Sequence, residues 1–286
     1  MNAPDAEAPA LPLDKLRELR AWFRQVGSVL VCFSGGTDSA LVLAVATAEL
    51  GPRAVGLTAV SPSLADSEKA DALSVAESIG AVHRLVETDE LSRPEYARND
   101  PDRCYHCKSV LFDVAEQKRL EWGLAVTVTG ANTDDLGDFR PGHDAAKKAG
   151  VRAPLVELGF TKADVRAVAR HLGLAVWDKP AAACLASRIP YGTSVTAERL
   201  GQIAGFEAEL QELGFRQVRV RWHDRIARLE LGRDELARAL EPDVRARVVE
   251  AGKRHGFHYV ALDLEGYRQG SHNEVLVGRS LRIAEG

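Results

Sequence analysis

The chain has 286 residues, 45% hydrophobic and 27% charged, with a formal net charge of -4. That length holds two moderate domains with cores of their own, and the weakly acidic balance excludes a global attraction to nucleic acid, so an anionic ligand has to be gripped by a local cluster. No apolar run reaches the roughly 18 residues of a membrane span and no basic segment precedes an apolar one near the N-terminus, so a cytoplasmic chain with no membrane partner is expected.

Helical periodicity over 13–26 leads into a buried strand over 28–33, which ends abruptly at Ser34-Gly35-Gly36. An Ala/Leu/Val helix over 38–50 follows, then a strand over 54–60, a helix over 64–79, a strand over 82–86, a helix over 105–122 and a strand over 125–129. This alternation predicts an α/β domain with a parallel, doubly wound sheet. Its ligands sit beyond the carboxyl ends of the strands, where Ser34 and the residues after Thr129 fall. The Pro- and Gly-bearing stretch 179–193 breaks the pattern and is the expected linker. Beyond it a helix over 196–213, strands over 217–222 and 226–231, helices over 234–240 and 244–255 and a strand over 257–262 predict a smaller C-terminal α+β domain. The expected domains are therefore 13–190 and 194–286.

Between the first strand and the second helix stands Ser34-Gly35-Gly36-Thr37-Asp38-Ser39. Glycines let the backbone approach an anion, and amides at a helix start together with the three hydroxyls can ligate phosphate oxygens. The same string could cap a helix and do nothing more, with Asp38 simply well placed on the dipole. In the functional reading Asp38 would repel a triphosphate unless a hard divalent cation lay between them, which makes it the first Mg²⁺ ligand expected. A second cluster, Gly130-Ala-Asn-Thr-Asp-Asp-Leu-Gly-Asp138, should open on the same sheet edge, where Asn132 and Asp134 or Asp135 could complete the phosphate and metal contacts. An Asx-rich loop capping the next helix is the alternative.

Four cysteines are too few for a disulfide scaffold. Cys32 reads as a buried small hydrophobe in its strand. Cys104 and Cys107 form a C-x-x-C pair flanked by Arg103 and Lys108, a setting that favours thiolates, and one such pair alone fits half a zinc site, a redox pair or part of an iron–sulfur cluster. Cys184 lies in a Pro/Ala-rich loop expected to return to the same sheet edge. Three thiolates with one iron left open make a cluster able to carry a transferable ligand. Arg219 and Arg221 alternate with Val218 and Val220, so both point to one face of a strand and could clamp a substrate phosphate. Glu207, Glu209 and Asp234 read as ordinary helix-surface acids.

The glycine loop resembles the SGGxDS pyrophosphate loop of the ATP-pyrophosphatase (PP-loop) superfamily, with its adenine nucleotide alpha hydrolase-like fold. Adding Arg103-Cys-Tyr-His-Cys-Lys108, Gly130-Ala-Asn-Thr-Asp-Asp135, Arg140-Pro-Gly142, Lys179-Pro180, the run 183–192 and the stretch 219–223, nearly the whole chain resembles the LarE family of sulfur transferases. The resemblance implies MgATP-dependent adenylation of the carboxylates of pyridinium-3,5-biscarboxylic acid mononucleotide, release of pyrophosphate, and replacement of AMP by sulfur to give thiocarboxylates. It implies Cys104, Cys107 and Cys184 as catalytic ligands of a [4Fe-4S] cluster, Mg²⁺ at Asp38 and Asp134, and Arg188 and Ser187 beside the substrate phosphate or the thiolate. It also implies a homo-oligomer, a hexamer, with a sulfide source the sequence leaves open. The rivals are the same reaction with Cys184 as a sacrificial sulfur donor, and a PP-loop tRNA thiolase, which should carry a strongly basic RNA face.

Overall fold

A computed structural model describes residues 11–137, 141–180, 183–268 and 271–272. Asp138 and Arg140, named above, lie outside the described residues. The chain divides into two compact units, 1–183 and 184–286, a boundary that falls inside the stretch expected as the linker.

The first unit opens with α1 (Leu13–Val26) and β1 (Val29–Cys32), followed by α2 (Thr37–Leu50), β2 (Ala54–Val60), α3 (Asp66–Ile79) and β3 (Val82–Glu87). A short α4 (Pro94–Ala97), the long α5 (Arg103–Glu121), β4 (Val126–Val128), α6 (Pro141–Lys148), α7 (Pro154–Glu157) and α8 (Lys162–His171) complete it. The sheet order is β3-β2-β1-β4 and every pairing is parallel. Strand β1 is buried along its whole length because both faces are covered. Val29 and Val31 face a core shared with α1, α2, α3 and α8, whereas Leu30 and Cys32 face one shared with α5. That two-sided packing is why α2 is apolar almost all round rather than striped. The strand order reverses at β1, with β2 on one side and β4 on the other, so the crevice beyond the ends of β1 and β4 is the sheet's switch point.

Four helices in this unit, α4, α6, α7 and α8, went unread in the sequence. Of these α8 has the clearest local cause: Thr161 accepts the Asp164 N–H while the Asp164 carboxylate accepts the Thr161 N–H, a reciprocal cap.

The second unit contains α9 (Ala197–Glu212), β5 (Val218–His223), β6 (Ile226–Leu231), α10 (Leu236–Ala239), α11 (Pro242–Arg254) and β7 (Tyr259–Leu262). Strands β5 and β6 are antiparallel and β7 runs parallel to β6. Val218, Val220 and Trp222 are buried, so period two sends Arg219, Arg221 and His223 to the opposite face. The helix expected over 234–240 begins as a 3₁₀ turn, Arg233–Glu235, and α11 starts earlier than expected because Pro242 takes its first turn. Among the described residues no helix is long and apolar enough to cross a membrane.

Candidate functional site

The glycine loop lies at the switch point between β1 and α2, where its residues have to turn the chain sharply. Gly35 has φ +71°, and a Cβ there would come within 2.9 Å of the Ala72 backbone, so a side chain is excluded both by conformation and by space. The loop is braced internally. Ser34 Oγ lies 3.1 Å from Ser39 Oγ, which accepts the Ser34 N–H at 3.2 Å and lies 3.1 Å from the Gly36 carbonyl. Gly36 is the N-cap of α2 and no side chain caps the helix, which leaves the start of a buried helix with its amides available to an anion. Thr37, expected among the phosphate hydroxyls, is buried and donates to the Val176 carbonyl at 2.6 Å.

The loop after β4 presses onto this helix start. A Cβ on Gly130 would stand 2.6 Å from the Ser39 nitrogen and 2.9 Å from the Asp38 carbonyl carbon, an approach only glycine permits. It delivers the buried Asn132, whose Nδ2 donates to Asp38 Oδ1 at 3.0 Å and whose Oδ1 accepts the Asp134 N–H at 3.0 Å. The Asp134 carboxylate accepts the Lys162 N–H at 3.0 Å, and Lys162 Nζ returns to Asp38 Oδ2 at 2.5 Å. Asp38, Asn132, Asp134 and Lys162 thus form a closed ring. Asn132 and Asp38 meet as expected; Asp134 is exposed and reaches Asp38 only through its neighbours. Asp38 and Lys162 keep about a quarter and a third of their side chains exposed, so the pair contributes at most about 1 kcal/mol.

Cys104 is exposed and Cys107 half-buried in the first turn of α5, whose buried Arg103 donates to the Asn99 side chain. Cys32 is buried, and desolvation pushes its thiol up to about 12 although Lys108 pulls the other way. None of the four cysteines is in a disulfide. Among the described residues no three His, Cys, Asp or Glu side chains are grouped as metal ligands.

In the second unit Cys184 is exposed and heads a 3₁₀ turn, Leu185–Arg188, with Leu185 and Ala186 buried beneath it. Two arginines grip this turn by its carbonyls. Arg188 Nη1 donates to the Cys184 carbonyl at 3.0 Å and Arg221 Nη1 to that of Ser187 at 2.9 Å. Both guanidiniums are held by buried acids: Arg188 by two hydrogen bonds to Glu207, at 2.9 and 3.0 Å, and Arg221 by Glu230 at 2.6 Å. Glu207 was expected on the surface and is 6% exposed; it also accepts the Val220 N–H at 2.8 Å, which joins α9 to β5. Glu209 and Asp234 are surface acids as expected, paired with Arg254 and Arg216. Arg219 differs from the other two arginines. Among the described residues no carboxylate lies within ion-pair distance of it, its Nη1 donates to the Val218 carbonyl, and its guanidinium sits 5.4 Å above the Tyr267 ring. Burial first, then the Arg188 charge, hold its pKa below the ordinary arginine value, which describes a cation short of a counter-charge.

No family profile matches the chain. A protein of Lactiplantibacillus plantarum named pyridinium-3,5-bisthiocarboxylic acid mononucleotide synthase is 38% identical over 268 residues, 93% of this chain and 96% of the relative. The chain belongs to the LarE family. LarE-family membership makes it an enzyme, and two uncharacterized proteins are similar as well. One from Synechocystis is 45% identical over 92% of this chain and 98% of its own length. One from Methanocaldococcus jannaschii is 25% identical over 84% and 90%. Sequence reasoning passed over Lys162 and undervalued Glu207 in this LarE-family chain. The first could have been found from the Thr161-to-Asp164 cap, which marks a helix start; the second had no local signal, because its partner Arg188 is 19 residues away on another element.

Proposed function

We propose that the chain is an ATP-dependent sulfur transferase that adenylates the carboxylates of pyridinium-3,5-biscarboxylic acid mononucleotide and converts them to thiocarboxylates. The observation that carries this reading is the uncapped, glycine-built start of α2 at the switch point, with Asp38 fixed beside it by Asn132. The name of the Lactiplantibacillus relative supports the substrate.

The loop amides bind the β- and γ-phosphates of ATP, and Asp38, its carboxylate fixed by Asn132, would hold the Mg²⁺ that neutralises their charge. A substrate carboxylate oxygen attacks the α-phosphorus, forming a C–O–P link as the bond to the bridging oxygen breaks and pyrophosphate leaves with that electron pair. Adenylation turns a poor leaving oxygen into a good one, ready for displacement by sulfur. In the second unit Arg219, which has no carboxylate at ion-pair distance among the described residues, binds the substrate phosphate, while Arg188, Arg221 and Ser187 fix the turn that presents Cys184.

Accessible thiols are the donor chemistry of an iron–sulfur cluster, and Cys104, Cys107 and Cys184 are the accessible ones in this chain. They are the residues that would hold a [4Fe-4S] cluster, with Arg103 and Asn99 fixing the helix turn of the first two. When bound, that group supplies a sulfide to the activated carboxyl carbon.

Incubation with MgATP and the dicarboxylate mononucleotide tests the reading. Pyrophosphate and AMP, formed only when the mononucleotide is present, are expected; ADP and phosphate would refute it. Iron and sulfide analysis of Cys104→Ala then tests the sulfur route. Turnover that persists without iron would replace the cluster with sacrifice of Cys184.

A further inference from the structure

Residues 172–180 follow α8 and belong to no helix or strand, yet they are anchored at two points. The Val176 carbonyl accepts the Thr37 hydroxyl at 2.6 Å. Three residues on, Lys179 Nζ donates to Asp71 at 2.7 Å and to Glu68 at 3.0 Å, both on α3. That is the helix whose Ala72 backbone stands 2.9 Å from where a Cβ on Gly35 would be. The contacts close a circuit: from Gly35 to Ala72, along α3 to Asp71 and Glu68, across Lys179 to Val176, and back through Thr37 to the glycine turn.

Lys179 is unlike the exposed ion pairs of this unit. Its side chain is 17% exposed, and taking an ammonium out of water costs more than one surface pair contributes. Burial pulls its pKa down, and Asp71 and Glu68 together outweigh that and hold it above the ordinary lysine value. The two acids stand three apart on one helix face, where like charges repel, so the single ammonium between them also steadies α3. Ser34 and Ser39 brace the turn from within; the circuit through Lys179 braces it from outside.

We propose that Lys179 is a positioning residue of the nucleotide turn, fixing the strap whose Val176 carbonyl orients Thr37 and with it the first amides of α2. The inference rests on the reading that MgATP binds at Ser34–Ser39. Lys179 acts here through the chain and not on a phosphate oxygen. Amides already held in place bind an anion without first being ordered, and releasing the strap gives up that advantage.

Titration calorimetry of MgATP on the full chain tests this, with melting temperature followed alongside. Lys179→Met, Thr37→Val and the double change Glu68→Gln with Asp71→Asn are each expected to raise the MgATP dissociation constant about three- to tenfold, whereas Lys179→Arg should keep the parent value. Because Lys179 and Thr37 act through one strap, Lys179→Met combined with Thr37→Val should be no worse than the larger single effect. Should Lys179→Met fail to fold, the acid-pair variant, which leaves the strap's own sequence intact, decides the matter. Unchanged affinity in a variant whose melting temperature falls would make the contact merely structural and refute the role. Weakened binding in Lys179→Met but not in the acid-pair variant would place Lys179 on the nucleotide itself, and effects that multiply in the combined variant would break the link to Thr37; either result overturns the proposal. A parent protein that binds no MgATP overturns the nucleotide-site reading instead.

Discussion

Gly130→Ala probes the contact on which the nucleotide site is built. The added Cβ would stand 2.6 Å from Ser39 N and 2.9 Å from both the Asp38 carbonyl carbon and Ser39 Cα. All three atoms are backbone in the first turn of a helix buried on nearly every side, so none can rotate away and either the loop or the helix has to shift. Overpacking of this kind costs about 1–3 kcal/mol. For a unit of this size each kcal/mol lowers the melting temperature by about 2–4 °C, a fall of roughly 2–12 °C in all. The displaced loop also carries Asn132 away from Asp38. A hydrogen bond to a charged group contributes about 1.5–3 kcal/mol, which predicts a MgATP dissociation constant roughly 10- to 150-fold higher. Scanning calorimetry and MgATP titration read the two effects separately. Gly201→Ala, where nothing lies within 4 Å of the new carbon, is the comparison, and should be neutral or stabilising by up to about 1 kcal/mol. If Gly130→Ala matches Gly201→Ala in both measurements, the close approach does not organise the site.

Glu207→Ala leaves Arg188 buried without its acid and should destabilise the second unit by about 3–5 kcal/mol in chemical denaturation, with the double change Arg188→Met and Glu207→Leu recovering most of the loss. Arg219→Ala should weaken mononucleotide binding by tenfold or more with little change in melting temperature, since no carboxylate pairs with it among the described residues; calorimetry checks both. With any bound iron removed, thiol-labelling reagents at neutral pH should modify Cys104, Cys107 and Cys184 in the native chain and spare Cys32 until it unfolds. Because the folded Cys32 pKa is raised from 9.0 to about 12, its contribution to stability is full below pH 9 and is lost as pH rises towards 12. Equilibrium denaturation across that range measures the decline.

The first strand, its glycine turn and the helix beyond were legible because a wholly apolar run can only be a strand covered on both faces, and two glycines with an aspartate mark where it must stop. Asn132 was legible for the same reason, one strand over. What the sequence concealed depends on partners distant along the chain. Glu207 stands on a helix with Glu209 and Glu212 and shares their local appearance; only Arg188 and the Val220 amide separate it from them. Arg219 and Arg221 were read correctly as sharing a face, yet register places Arg219 opposite Glu230 while the Glu230 carboxylate bonds Arg221. Alternation of residues in a strand carries no information on which arginine is neutralised. Lys162 escaped the strand-helix alternation because α8 follows α6 and α7 with no named strand of its own ahead of it.

The central claim is that a substrate carboxylate is activated by attack on the α-phosphorus of ATP bound at the glycine turn. The fate of oxygen-18 placed in that carboxylate tests this most directly, by mass spectrometry of the nucleotide and phosphate products. The account predicts that the AMP released on sulfur transfer carries one labelled oxygen and pyrophosphate none. Label in inorganic phosphate, or unlabelled AMP alongside thiocarboxylate product, would contradict it.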